Sequence, residues 1–117
     1  MALLAVRMSV AETCHAIEQA LGVTFVGRES SYLGEYEMAT LRRHGKVPAE
    51  VVLKLRRNID PMWREGDPLQ EQLAEPRFPL DSHLLYVQDA AGKHSVDFEL
   101  VEALVQCGLV VLDINWR

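Results

Sequence analysis

The sequence predicts an α+β two-layer sandwich, a mostly antiparallel sheet of about five strands with two main helices on one face, in the order α-β-β-β-short α-β-α-β. Three observations carry this. Apolar residues recur at helical spacing in two segments, each opened by a hydrogen-bonding cap and closed by glycine. β-branched and aromatic runs bounded by turn residues occupy much of the remainder. Three of those runs follow one another with only turns between them, which is the pattern of antiparallel neighbours. With 117 residues, 49% hydrophobic and 25% charged, the composition is that of one globular domain spanning residues 1–117. A chain of this size buries roughly two-thirds of its unfolded surface, enough for a core without disulfide or metal staples.

Ser9-Val10-Ala11-Glu12 is a capping box, in which the hydroxyl accepts from the third backbone N–H and the glutamate reaches back to the cap. Val10, Cys14, Ile17 and Leu21 follow at helical spacing, Glu12 and Glu18 fall on the solvent side, and Gly22 supplies the left-handed stop. Val23 to Val26 reads as a strand ended by Gly27, and Tyr36 to Leu41 returns antiparallel to it after the loop Arg28 to Gly34. Arg42 to Pro48 is a polar turn, and Val51 to Arg56 is a strand with one buried face, alternating apolar and basic from Leu53. Asp67-Pro68-Leu69-Gln70 has the form of a helix start with Asp67 as cap, and Pro76 limits that helix to about two turns. Leu84 to Val87 is the next strand, closed by the turn Asp89 to Gly92.

Ser95 is expected to cap the second main helix, with Asp97 and Glu99 in its first turn against the helix dipole. Its apolar face is Phe98, Val101, Leu104 and Val105, and Gly108 ends it. Leu109 to Ile114 is aliphatic enough to sit centrally in the sheet, and a right-handed crossover through the helix would set it parallel to the preceding strand. Met8 stands just before the first helix, so residues 1–7 are either an extension ahead of an alternative start or an added edge strand.

The formal charge of −5 disfavours bare nucleic acid and anionic lipid as partners. It is unevenly spread: residues 42–64 carry seven basic and two acidic side chains, whereas residues 65–117 carry three and ten. Such blocks either pair within the fold or leave an acidic face for a basic partner. Cys14 and Cys107 lie far apart in helical patterns and read as buried free thiols, outside any metal or redox spacing. No apolar run approaches the ~20 residues of a membrane span, and the start lacks the basic and apolar regions of an export signal, so a cytoplasmic location is expected.

Chemistry-bearing motifs are missing. His15, His44, His83 and His94 are scattered without ligand spacing, no glycine cluster forms a phosphate loop, and no serine or cysteine sits in a nucleophile elbow. Ser30 and Ser31 read as turn residues, and the carboxylate pairs Glu35/Glu37 and Glu99/Glu102 as solvated faces. No catalytic residue, metal or cofactor is expected. The basic stretch Arg42, Arg43, Lys46, Lys54, Arg56 and Arg57 lacks interleaved aromatics, and pairing of Lys54 and Arg56 with Glu35 or Glu37 across the strands is its expected use. Two segments offer aromatic anchors ringed by charge: Glu29 to Tyr36, and Pro61 to Asp67 within the irregular stretch Asn58 to Asp81. Tyr36 and Trp63 would alternatively close the ends of the core.

Ser30-Ser31-Tyr32-Leu33-Gly34 before a strand, Asn58-Ile59-Asp60 after the next, Leu84-Leu85-Tyr86-Val87, and a final helix entering Gly108-Leu109-Val110-Val111-Leu112 together resemble small bacterial immunity proteins encoded beside polymorphic toxins. The resemblance implies a cytoplasmic, non-enzymatic protein that binds a cognate toxin domain and covers its active site. A toxin acting on nucleic acids or nucleotides needs a basic cleft, which an acidic partner complements. The expected contact is Trp63, Glu65, Asp67, Glu71 and Glu75, with Tyr32 and Glu35 as a second choice. The alternative is a small ligand-sensing or regulatory domain with a pocket between helices and sheet. An enzyme comes third and would require the loops at Tyr32 and Trp63 to meet His83 or His94.

Overall fold

A computed structural model describes all 117 residues. The chain runs β1 (Ala2–Val6), α1 (Val10–Leu21), β2 (Val26–Ser30), β3 (Gly34–Arg42), β4 (Glu50–Arg57), a 3-10 turn (Leu69–Glu71), β5 (His83–Asp89), α2 (Phe98–Gln106) and β6 (Val111–Trp116). Six strands form one sheet in the order β2-β3-β4-β5-β1-β6, every neighbouring pair antiparallel. Ile17 of α1 and Leu100, Val101 and Leu104 of α2 pack with Leu4, Leu53, Leu55, Leu85 and Val87 in one core on a single sheet face. The α+β class with both helices on one face is therefore what the chain adopts, with six strands in place of about five.

The extra strand is β1, and it corrects two expectations. Residues 1–7 are neither an extension nor an edge: Ala2 to Val6 are all fully buried, paired with β5 on one side and β6 on the other. Five apolar residues in a row are the signature of a strand covered on both faces. Leu109 to Ile114, expected at the centre, instead yields the edge strand β6, beginning at Val111, with Val110 and Leu112 exposed. β5 and β6 do run in the same direction, but β1 lies between them.

Local boundaries moved where a side chain made a hydrogen bond outside the element expected for it. Ser9 caps α1 as expected, accepting from the Glu12 N–H at 3.1 Å, and Gly22 closes it at φ 68°. The strand expected at Val23 begins only at Val26, because Glu18, placed on the solvent side by the sequence, accepts from the Phe25 N–H at 2.9 Å. The helix expected after Asp67 shrinks to one 3-10 turn. Pro68 is extended (ψ 132°), and the Asp67 carboxylate accepts from the Arg64 N–H at 2.8 Å, so it caps nothing downstream. Asp97, not Ser95, caps α2, and Leu100 joins Val101 and Leu104 on its buried face. Phe98, expected in the core, is 69% exposed and stacks on Trp116 at a centroid distance of 6.4 Å. Cys14 and Cys107 are free and half-buried rather than buried, and Cys107 terminates α2. Burial, reinforced by Glu37 and Glu18, pushes the Cys14 thiol up to about 11.

The Asp97 cap is fixed by a bidentate ion pair with Arg43, whose Nη2 lies 2.9 Å from Oδ2. Burial pushes the carboxyl pKa up, but the Arg43 guanidinium and backbone N–H donors outweigh it and hold the group below its ordinary value. A lowered folded pKa adds stability that is present above the unfolded value, near ~4, and is lost as pH falls through the folded one. Asp97→Asn retains a capping side chain but strands the Arg43 charge. It is expected to cost about 1–3 kcal/mol at neutral pH and to flatten the acid limb below about pH 4 in urea melts at stepped pH.

Candidate protein-binding surface

Strand alternation sends Lys54 and Arg56 of β4, and Leu84 and Tyr86 of β5, to the face opposite the helices. The β1 and β5 part of that face is covered by residues 58–82. Phe78 and Ala74 from this segment pack on Leu3, Ala5, Leu84 and Tyr86. Asn58 ties the segment down. Its side chain, fully buried, donates to the carbonyls of Glu75, Phe78 and Pro79 at 3.0–3.1 Å and accepts from the Glu75 N–H at 2.8 Å. An otherwise irregular stretch is thereby fixed to the sheet.

The other half of the surface is the tip of the β2–β3 hairpin. Ser30 Oγ accepts from the Leu33 N–H at 2.9 Å, and Gly34 turns the chain at φ +72°. A Cβ at Gly34 would lie 3.2 Å from Pro61 Cβ, so the absence of a side chain lets hairpin and covering segment touch. Tyr32, 85% exposed, and Met62, 69% exposed, then line one groove.

The sequence-predicted residues divide accordingly. Glu65, Asp67 and Glu71 are exposed on the covering segment beside exposed Leu69. Trp63 is half-buried, its indole N–H donating to the Pro68 carbonyl at 3.1 Å, so the ring folds back on its own turn. The Glu75 side chain is only 18% exposed and pairs with Arg117 at 2.9 Å, which gives it a structural task. Glu35 lies opposite Glu29 on the hairpin, on the helix side of the sheet and away from Tyr32. Met62, Leu69, Arg56 and Tyr86 complete the surface and were not among the predicted contacts. Only strand register could have placed the last two.

The expected pairing of Lys54 and Arg56 with Glu35 or Glu37 does not occur. Register sets Glu37 opposite Leu55, on the helix side, and Lys54 opposite Met38. Lys54 and Arg56 instead lie over the rings of Tyr36 and Tyr86, at 6.0 and 5.8 Å. The rest of the basic stretch is largely neutralised, through Arg42–Glu50, Arg43–Asp97 and Lys46–Glu99. The groove at Tyr32 is lined by no histidine. His, Cys, Asp and Glu side chains gather nowhere in threes at metal-binding geometry, and no helix is long and apolar enough to cross a membrane. Comparison with protein-family models, with curated proteins and with solved structures finds no match.

Proposed function

We propose that the protein is a non-enzymatic, cytoplasmic binding module of the immunity type, which neutralises a cognate toxin domain by occluding its basic active-site cleft. One observation carries the reading: Tyr32 of the hairpin tip and Met62 of the covering segment, separate in sequence, line one groove, and the same segment exposes Leu69, Glu65, Asp67 and Glu71. Exposed apolar anchors on a segment where Glu65, Asp67 and Glu71 outnumber its one exposed cation between residues 61 and 75, Arg64, suit a partner of positive charge. Because Asn58 holds the segment in place before binding, little ordering entropy opposes association.

Glu65, Asp67 and Glu71 changed together to lysine are expected to weaken association with the captured toxin domain by about 100-fold or more, chiefly at low salt. Stability should change by no more than about 1–2 kcal/mol, since all three side chains are exposed and only Asp67 gives up a hydrogen bond, that from the Arg64 N–H. Unchanged affinity in a folded triple variant, measured by calorimetry, would remove this face from the interface. Tyr32→Ala, at an exposed position, is expected to cost about 1–2 kcal/mol of binding without loss of fold.

A further inference from the structure

Beneath the covering segment, Tyr32, Met62, Ala74, Lys54, Arg56 and Tyr86 contribute to the lining of a cavity of about 570 Å³. That volume falls within the ~300–1,000 Å³ of small-molecule sites, whose walls are apolar and aromatic with a few converging polar groups. The charged groups here include the cations Lys54, Arg56 and Arg117 beside the carboxylates Asp60 and Glu75, of which Glu75 is paired with Arg117.

Arg56 is only 7% exposed, yet neither it nor Lys54 is among the cations that pair with a carboxylate. Arg56 Nη1 donates to the Leu33 carbonyl at 3.2 Å, while Nε is buried with no acceptor. A buried guanidinium without a counter-charge is costly, and an arriving anion lowers that cost. Burial holds the Tyr86 phenol above its ordinary pKa despite the neighbouring Arg56, so it stays a neutral hydrogen-bond donor.

We propose that this cavity binds a small organic monoanion, whose carboxylate meets Arg56 and Lys54 and whose aromatic or apolar body fills the space between Tyr32, Met62 and Tyr86. A phosphate is disfavoured on two grounds. No glycine-rich loop or helix N-terminus lines the cavity to supply converging N–H donors. Asp60 and Glu75 do line it; Glu75 is neutralised by Arg117, but Asp60 accepts only from the Met62 N–H and repels a dianion more than a monoanion. The cavity shares Tyr32 and Met62 with the proposed toxin-binding face, but the anion is held by Arg56 and Lys54 and its test needs no protein partner, so either reading can fail without the other.

The test uses the full chain with benzoate and phenylacetate as probes, and benzamide and inorganic phosphate at matched ionic strength as controls. Binding is read from the Arg56 Nε–H resonance and from the ligand-dependent rise in Tm. At least one of the carboxylates is expected to shift the resonance and raise Tm, and neither control should do so. Lys54→Met, which removes no hydrogen bond or ion pair and gives up only the contact with the Tyr36 ring, is expected to weaken the responding carboxylate by about tenfold while lowering the Tm of the free protein by no more than about 4 °C. No response to either carboxylate would overturn the assignment. So would an equal response to benzamide or phosphate, or a folded Lys54→Met protein that binds as tightly as the parent.

Discussion

A chain shortened to begin at Met8 is expected to be unfolded or aggregated. β1 is paired on both edges and buried on both faces: Ala2, Leu4 and Val6 enter the core under the helices, and Leu3 and Ala5 pack with Phe78 beneath the covering segment. Burying each of the larger side chains is worth about 1.5–3 kcal/mol, so the set approaches the ~5–15 kcal/mol by which a whole domain is stable. Removal also parts β5 from β6 and exposes two long strand edges, each a template for association. Size-exclusion chromatography and amide NMR dispersion read the outcome. Leu4→Ala is the graded version, expected to cost about 3 kcal/mol in urea melts. A Met8-start protein with the parent's dispersion and Tm would mean that the fold does not need β1 as an interior strand.

Asn58→Ala is expected to lose about 3 kcal/mol, since it leaves the Glu75 N–H and the Phe78 carbonyl without a partner and takes one donor each from the Glu75 and Pro79 carbonyls. Asn58→Asp, nearly isosteric, should cost more, because a carboxylate oxygen would then face those carbonyls. The loss is local as well as global. Hydrogen exchange and proteolysis within residues 59–82 should accelerate beyond what the change in overall stability explains. Affinity for the proposed toxin partner should fall too, because Glu65, Asp67 and Glu71 ride on the loosened segment. A destabilisation below about 0.5 kcal/mol, the range of ordinary surface changes, would show that Asn58 is not the anchor.

What could be read from sequence was what local chemistry decides. The start of α1 was legible because Ser9 and Glu12 satisfy each other within one turn. The cap of α2 was misplaced from Asp97 to Ser95 because Arg43, which fixes it, lies 54 residues away. The short helix after Asp67 failed on a local competition: the Asp67 carboxylate takes the Arg64 N–H three residues upstream, and Pro68 extends away. Hydrophobicity marked both Ala2–Val6 and Leu109–Ile114 as apolar but could not rank them, and the sheet gave the interior to the former. On the candidate surface, Tyr32 and the acidic side chains were legible because exposure at a turn is a local property. The cationic groove was not, since the face that Lys54 and Arg56 share with Tyr86 follows from register between strands distant in sequence.

The proposed immunity role is tested by recovering tagged protein from native host lysate at moderate salt and identifying what remains bound. One toxin-like domain at comparable stoichiometry is expected, which arrests growth when expressed alone and is silenced when this chain is expressed beside it. Recovery of no protein, or of one whose expression leaves growth unaffected, would contradict that role.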